Sequence, residues 1–181
     1  EQGYASVAID LPGAGANAAV PASFARRPLD AAAFASEPSP NAGVSQAQRN
    51  DAALAAVKSA GEKGNGQVVM VGHSLGGLTV SQLGEQAPEL LHAVVYLAAL
   101  MLPRGATAGE MLGSEAMAGS QVASVLLADP EEVGALRMDT RSDDPDYVAR
   151  VRETFYGDVT DTDFREILGG LHPDEPAQVA G

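Results

Sequence analysis

The sequence predicts an α/β fold, with about three parallel strands and flanking helices followed by a helical region. Short apolar runs alternate with helical patterns over residues 1–104, and this alternation is typical of strand–helix–strand units and a parallel sheet. Residues 105–181 lack the alternation and contain amphipathic helical patterns instead. The charge divides at the same place, because residues 1–104 carry eight acidic and six basic side chains and residues 105–181 carry sixteen and five. We therefore predict a core over residues 1–104 and an acidic helical region over residues 105–181.

The core is predicted to contain three strands and two helices. Buried apolar runs indicate the strands, and Pro12 and Gly13 follow the end of the first one. Ser45 and Gln48 form a capping box at the start of the first helix, and the second helix stops before Pro88. The predicted order is a strand over 4–9, a long polar loop to about 43, a helix over 46–62, a strand over 67–71, a helix over 75–86 and a strand over 93–100.

Two amphipathic helices are predicted in the acidic region. Asp144 is an N-cap ahead of Pro145 at the first helical position, and a second helix starts at Thr160. The apolar face of the first is formed by Tyr147, Val148, Val151 and Phe155, and that of the second by Phe164, Ile167, Leu168 and Leu171. Each helix therefore needs a partner surface for its apolar face.

Composition excludes several classes of protein. The formal net charge of −13 repels phosphate backbones, so nucleic acid is not an expected partner. The longest apolar run, residues 93–102, is about half of the ~20 residues that a membrane-spanning helix needs, and no membrane partner is expected. The chain has no cysteine, which excludes disulfides, thiolate metal sites and a cysteine nucleophile. Oligomeric state and compartment stay open.

The residues that carry chemistry are those of the segment 72–77 (GHSLGG), between the second predicted strand and the helix after it. A serine at a sharp strand-to-helix turn adopts strained backbone angles, and the residues two before and two after it must be small. Gly72 and Gly76 meet this requirement, and Gly77 follows them. The turn presents the hydroxyl group of Ser74, while the N–H of Leu75 and the N-terminus of the helix face any oxyanion formed there. We therefore predict Ser74 as the nucleophile and the Leu75 N–H as an oxyanion donor.

The chain resembles the α/β-hydrolase superfamily through residues 72–77 and residues 3–13 (GYASVAIDLPG). Residues 97–103 (LAALMLP), 155–158 (FYGD) and 171–176 (LHPDEP) are similar more narrowly to the esterase, methylesterase and hydroxynitrile-lyase branch. The resemblance covers almost the whole chain, with residues 72–77 as its specific motif. It implies a partial hydrolase sheet, an ester-cleaving serine at Ser74 and a helical cap, or lid, over residues 105–181.

The resemblance also implies parts that this sequence does not contain. In the family, a strand with a His-Gly oxyanion loop precedes the segment that residues 3–13 resemble, and the triad acid and histidine follow the cap. We therefore expect an internal piece of a longer hydrolase. Its second oxyanion donor would lie before Glu1, its triad acid and histidine beyond Gly181, and its sheet would have a gap in the middle.

A general base must come within hydrogen-bond reach of the Ser74 hydroxyl, and the chain has three histidines. His73 adjoins Ser74, but the strained turn directs its side chain elsewhere, and we interpret it as a packing or hydrogen-bonding residue. His92 begins the third strand, at the opposite end and roughly 20 Å away, and is interpreted as structural. His172 lies in the predicted cap and could face the pocket, although a base on the cap is not the family arrangement. A solvent-exposed histidine at a helix end is the alternative for His172.

Two other sites are considered and rejected. The acidic clusters do not have the spacing of a calcium loop, and we interpret Asp144, Asp161 and Asp163 as helix caps. The clusters contain Asp139, Asp143, Asp144 and Asp146, and then Asp158, Asp161 and Asp163. Residues 13–18 (GAGANA) fit a dinucleotide-binding pattern, but the prolines that follow interrupt the helix that such a site needs. No cofactor and no metal are expected.

The sequence therefore favours a serine hydrolase that acts on a small carboxylic ester, with this chain inactive by itself. A second hypothesis is a non-catalytic fragment or binding module, because no base, acid or oxyanion loop is evident. Hydroxynitrile-lyase chemistry on the same fold is a third, with Ser74 as a base relay. The identity of the substrate does not follow from the sequence.

Overall fold

A computed structural model of the chain describes residues 5–179. In chain order the helices are α1 (Ala31–Ser36), α2 (Gln46–Lys63), α3 (Gly76–Gln86), α4 (Ala108–Leu112), α5 (Pro130–Val133), α6 (Pro145–Phe155) and α7 (Asp161–Gly170). The strands are β1 (Val68–Ser74), β2 (Leu91–Ala99), β3 (Ala135–Arg137) and β4 (Asp174–Pro176). Short 3-10 helices lie at Gly15–Asn17, Pro88–Leu90, Glu115–Met117, Val122–Val125 and Ala177–Val179. No helix among residues 5–179 is both long enough and apolar enough to span a membrane.

The chain divides into two compact units. Unit 1 comprises residues 1–17 and 46–102, and unit 2 comprises residues 18–45 and 103–181. The later boundary lies close to the predicted one at residue 104, but residues 18–45 belong to unit 2 and not to the core. The two parts of unit 2 are joined by the Arg137 guanidinium, which lies 4.9 Å from the ring centroid of the buried Phe34, and by the Ser39 N–H, which donates to the Val133 carbonyl oxygen at 2.7 Å. The role of residues 105–181 as a cap stays a prediction.

Unit 1 is a parallel strand–helix–strand unit. β1 and β2 pair in parallel, and α3 connects them. One face of this sheet packs on α2 and α3 through a core of buried Ala53, Val57 and Leu83, with Val68, Met70 and Leu91 against it. The prediction of α/β architecture with a partial parallel sheet is therefore confirmed, and β1, α3 and β2 lie where the sequence predicted them, within three residues at each end.

The predicted first strand is wrong for the residues that the structure describes. Residues 5–10 have no strand structure, and Tyr4 lies outside the described residues. Val7 is 79% exposed and Ile9 is 43% exposed, so the apolar pattern of this segment is not used in a sheet. A strand exists only by pairing with a neighbour, and the parallel sheet of the described residues contains only β1 and β2.

The other face of the β1–β2 sheet is apolar and open in the described part of the chain. Val69, Val71, Val95 and Leu97 alternate along the two strands with the residues that pack on the helices. Their exposed fractions lie between 42% and 59%. Parallel sheets usually have both faces covered, and here α2 and α3 cover one.

Unit 2 has its own core between α6 and α7. Tyr147 and Val151 of α6 pack with Phe164 and Leu168 of α7 around Val125. The predicted N-cap of α6 is confirmed, because the Asp144 carboxylate accepts from the Asp146 N–H. In α7 the N-cap is Thr160, whose hydroxyl accepts from the Asp163 N–H, and Asp161 and Asp163, predicted as caps, lie in the first turn of the helix. Phe155, predicted on the apolar face of α6, is 44% exposed and is not part of this core.

A buried ion pair joins β3 and β4 of unit 2 and is bonded to the end of α1. The Arg137 guanidinium, on β3, donates to both carboxylate oxygens of Asp174, on β4, at 2.7 and 2.8 Å. It also donates to the carbonyl oxygens of Phe34 and Glu37, at the end of α1. The sequence pattern predicts a loop where α1 forms and does not indicate the antiparallel β3–β4 pair. Helix α1 forms because Asp30 caps it by accepting from the Ala33 N–H, and because alanine favours helix.

Candidate active site

Ser74 lies on a sharp turn at the carboxyl end of β1. It is the last residue of that strand, and α3 begins two residues later at Gly76. The φ angle of Ser74 is +52°, a left-handed conformation that is uncommon for a residue with a side chain. The side chain of Ser74 is exposed. The predicted strand–turn–helix geometry around Ser74 is therefore present in the structure.

The glycines of the turn have different roles from those that the sequence suggested. A Cβ atom on Gly72 would lie 2.7 Å from the Gly76 carbonyl oxygen and 2.9 Å from a methyl group of Val80. A Cβ atom on Gly77 would lie 2.0 Å from the carbonyl oxygen of Leu100. A Cβ atom on Gly76 would contact nothing within 4 Å. The prediction that Gly76 must be small is therefore not supported by its surroundings, and the close approaches of backbone occur at Gly72 and Gly77.

Leu75 occupies the N-cap position of α3, with helical backbone angles. The first four N–H groups of a helix have no partner within the helix, and the aligned peptide dipoles make this end positive. The first turn of α3 contains no acidic side chain that would oppose this charge. The Ser74 hydroxyl is thus next in sequence to N–H groups that are suited to an anionic oxygen.

Leu100, the residue directly after β2, supports the turn at Ser74. The sequence pattern does not indicate this role. Its backbone N–H donates to the Ser74 carbonyl oxygen at 3.0 Å, and its own carbonyl group contacts Gly77. A second link lies one turn further along α3, where the Ser81 and Tyr96 hydroxyl groups are 2.8 Å apart. The carboxyl ends of parallel strands meet at one edge of a sheet, and that rule could have directed attention to Leu100.

None of the histidines of unit 1 is placed to serve Ser74. His73 is exposed rather than packed, and strand alternation puts it on the opposite face from Gly72, which approaches α3. His92 lies at the other end of the sheet, beside Val68 and Val69, about 17 Å from Ser74 along the strand.

His172 follows α7 in unit 2 and is half-buried. Its Nδ1 atom is buried and has no hydrogen-bond partner among the described residues. Hydrogen bonds hold the backbone on either side, from the Thr140 hydroxyl to the Leu171 carbonyl oxygen and from the Met138 N–H to the Pro173 carbonyl oxygen. The alternative of a solvent-exposed histidine does not describe this position.

No group of three or more potential metal ligands is brought together among residues 5–179. The segment that fits a dinucleotide-binding pattern continues into the short 3-10 helix Gly15–Asn17, and the next α-helix begins only at Ala31. Gly15 is required for another reason, because a Cβ atom there would lie 1.9 Å from a carboxylate oxygen of Asp10. These residues form a compact loop that α2 holds through the Arg49 guanidinium, which donates to the Pro12 carbonyl oxygen at 3.0 Å.

The shifted pKa values belong to unit 2 and do not involve a predicted site residue. Burial raises the pKa of Tyr147 to about 12, and burial also raises the pKa of Tyr156. Hydrogen bonds from Ser23 and Ala22 lower the pKa of Glu37, and the backbone N–H groups of these two residues donate to its carboxylate oxygens at 2.8 and 2.9 Å. A cavity of about 350 Å³ in unit 2 is lined by residues 116, 117, 119–122, 153 and 154, and it contains none of the predicted site residues.

The class of protein is defined by the parallel strand–helix–strand unit and by the strained turn between β1 and α3. It is an α/β protein whose candidate site lies at the carboxyl end of its sheet. The chain belongs to the alpha/beta hydrolase family, whose model matches residues 1–179. Membership confirms the resemblance to the α/β-hydrolase superfamily seen in the sequence.

Solved structures of a pyrethroid hydrolase, PytH, are similar to this chain. Two variants of that protein match with TM-scores of 0.55 and 0.57 at 22% and 20% sequence identity. The matches cover 76% and 82% of this chain, but 51% and 56% of the pyrethroid hydrolase chains. The chain thus spans about half the length of these structures, and the likeness is one of fold. No curated protein matches the sequence.

Proposed function

We propose that Ser74 is the nucleophile of a serine hydrolase that acts on a small carboxylic ester. The observation that carries the proposal is the +52° φ angle of Ser74 at the junction of β1 and α3. A non-glycine residue in this conformation costs free energy, and such strain persists mainly where the surrounding structure enforces it, often at functional sites. Gly72 and Gly77 supply that enforcement, since the backbone approaches both of them too closely for a side chain.

The chemistry follows from what surrounds the Ser74 hydroxyl. Its oxygen attacks the ester carbonyl carbon, the carbonyl oxygen becomes negatively charged in a tetrahedral intermediate, and the alcohol then leaves to give an acyl-serine. The Leu75 N–H and the positive end of α3 stabilise that negative oxygen. One oxyanion donor of this kind contributes on the order of 10²–10³ in rate.

A base is needed for rapid turnover, and unit 1 does not place one. His73 projects to the other face of the sheet, and His92 lies at its far end. We propose that the base and acid of the whole enzyme lie outside the 181 residues of this chain. The 181-residue chain should therefore react once at Ser74 with an activated ester, slowly, and should not turn over.

The substrate class is proposed from membership of the hydrolase family and from the similar structures of a pyrethroid hydrolase. We carry over hydrolysis from these proteins, and we take the small carboxylic ester from the hypothesis that the sequence favours.

The test is acetylation of the 181-residue chain by p-nitrophenyl acetate, followed by mass spectrometry of its peptides. We expect acetyl-Ser74 to accumulate, the Ser74→Ala variant to lose this product, and the control Ser124→Ala, which removes another exposed serine, to retain it. Acetylation of other serines with Ser74 unmodified would refute the proposal. Sustained turnover that depends on Ser74 and is lost in His172→Gln would instead identify His172 as the base and contradict the expected absence of turnover.

A further inference from the structure

Strand β2 contains one extra residue directly beside the turn at Ser74. His73 pairs with Leu97 and Ser74 pairs with Ala99, so Ala98 lies opposite the peptide bond that joins His73 to Ser74. One additional residue on one strand of a pair is a β-bulge, which bends its strand and interrupts regular pairing. Bulges are common next to active sites, where they change the direction of the chain.

The backbone of Ala98 is strained in the same way as that of Ser74. Its φ angle is +41°, and Ser74 and Ala98 are the non-glycine residues with positive φ within residues 5–179. β2 has a second irregularity at its start, where His92 is the extra residue opposite Val68 and Val69. His92 does not have a positive φ angle. The left-handed conformation therefore accompanies only the bulge that lies beside Ser74.

The bulge determines what β2 presents to the turn. Immediately after it, the Leu100 N–H donates to the Ser74 carbonyl oxygen at 3.0 Å. The Leu100 carbonyl group lies against Gly77, in the first turn of α3. Leu100 thus contacts the chain on both sides of Leu75. Without the extra residue, the end of β2 would shift by about one residue step, roughly 3.3 Å, and Leu100 could not hold both contacts.

We propose that Ala98 is a positioning residue for Ser74. Its left-handed bulge places Leu100 so that the Ser74 carbonyl group and the start of α3 are held together, which fixes the direction of the Ser74 hydroxyl relative to the Leu75 N–H. This inference rests on the proposed function of Ser74 as the nucleophile. A misplacement of about 1 Å of a reacting group can reduce the rate on the order of 10²-fold, so a backbone device of this kind affects the reaction strongly.

The experiment compares substitutions that accept or reject a positive φ angle. Ala98→Gly and Ala98→Asn accept it, whereas Ala98→Val rejects it because a β-branched side chain is an outlier there. The matched control is Ala93→Val, the same exchange on the same strand, at an exposed position that pairs with Val69 beside the other irregularity and has no positive φ angle. Valine favours a regular strand.

Two readouts are measured on each folded variant. The first is hydrogen exchange of the Leu100 amide, which reports the hydrogen bond from this amide to the Ser74 carbonyl oxygen and does not depend on any reaction of the Ser74 hydroxyl. The second is the rate of Ser74 acetylation by p-nitrophenyl acetate, divided into the limiting rate constant and the half-saturating concentration. For Ala98→Val we expect loss of Leu100 protection and a fall on the order of 10²-fold in the limiting rate constant, with little change in the half-saturating concentration. For Ala98→Gly, Ala98→Asn and Ala93→Val we expect parental values.

Retention of both properties in Ala98→Val, or equal losses in Ala93→Val, would overturn the proposal. If Ala98→Val does not fold, the glycine and asparagine variants still decide, because loss of Leu100 protection in them would show that the left-handed conformation is not what holds Leu100. A parent chain without acetyl-Ser74 would refute the proposed function, whereas the exchange of the Leu100 amide would still test the bulge.

Discussion

Replacing Gly77 by alanine is expected to destabilise unit 1, and the same change at the neighbouring Gly76 is expected to be harmless. A Cβ atom on Gly77 would lie 2.0 Å from the Leu100 carbonyl oxygen, and real Cβ contacts are essentially never shorter than 3.0 Å. The backbone must therefore separate by at least 3.0 − 2.0 = 1.0 Å. Neither partner is a flexible side chain, since one is the first turn of α3 and the other is the segment after β2.

The magnitude follows from these contacts. Forcing extra atoms into a packed site costs about 1–3 kcal/mol and occasionally more. At Gly76 a Cβ atom meets nothing within 4 Å, and alanine is the better helix former by up to about 1 kcal/mol. Both glycines lie in the first turn of α3, so this gain applies to each variant and cancels in the comparison. The two variants should thus differ by about 1–3 kcal/mol in the free energy of unfolding. For a chain of this size, that corresponds to roughly 2–12 °C in Tm.

The assay is urea unfolding followed by circular dichroism, with hydrogen exchange of the Leu100 amide as a local probe. Gly77→Ala should lower the midpoint without changing the slope, which indicates lost stability rather than a changed unfolded state. It should also speed exchange at Leu100. Equal midpoints for Gly77→Ala and Gly76→Ala would refute the assignment of the close approach to Gly77.

Three further predictions concern other parts of the chain. Asp174→Asn leaves the Arg137 guanidinium buried without its carboxylate and should cost about 3–5 kcal/mol by urea unfolding, whereas a loss below about 1 kcal/mol would show that the pair is not essential. Tyr147 has its pKa raised from 10 to about 12, so the folded state holds this proton more tightly than the unfolded state does. The contribution of Tyr147 to stability should be constant below pH 10 and fall as the pH rises towards 12. The Tyr147→Phe variant should lose that part of the slope, and an unchanged pH profile would contradict the assignment. The open apolar face of the β1–β2 sheet predicts that the isolated chain self-associates. The double variant Val71→Ser, Leu97→Ser should therefore lower the apparent mass in light scattering with a stability change of about 0.5 kcal/mol or less, because both side chains are more than half exposed. An unchanged apparent mass, or a large loss of stability, would contradict this.

The β1–α3–β2 unit could be predicted because its signals are local. An apolar run, a glycine-rich turn and an amphipathic pattern ending before Pro88 each specify one element without reference to distant residues. The N-caps of α6 and α7 were predictable for the same reason, since a cap depends on residues within one turn. The position of Ser74 at the turn follows from these neighbours alone.

The parts that were missed depend on contacts between distant segments. Residues 5–9 have a strand pattern, but a strand also needs a partner, and the described sheet offers none beside them. Membership of residues 18–45 in unit 2 depends on the burial of Phe34 against Arg137, whose guanidinium lies 4.9 Å from the ring centroid. Nothing within residues 18–45 indicates that partner, which lies about a hundred positions further along the chain.

The candidate site likewise combines features that the local sequence indicates with features that depend on contacts between distant segments. The sequence indicated that small residues are needed around Ser74, but the choice between Gly76 and Gly77 depends on where Leu100 lies. The bulge at Ala98 has no sequence signal, because alanine is not typical of a positive φ angle. Both features depend on how the end of β2 packs against the turn at Ser74.

The central claim is that the backbone presents one hydroxyl group, that of Ser74, for attack on an electrophile. The most direct test is to treat the 181-residue chain with a fluorophosphonate and to map the modified residue by peptide mass spectrometry, because the charged oxygen on phosphorus mimics the oxyanion. The account predicts modification at Ser74 on the order of 10²-fold faster than at any other serine, a factor that the oxyanion donor alone can supply, and loss of that product in Ser74→Ala. Modification spread evenly over the exposed serines, with no preference for Ser74, would contradict it.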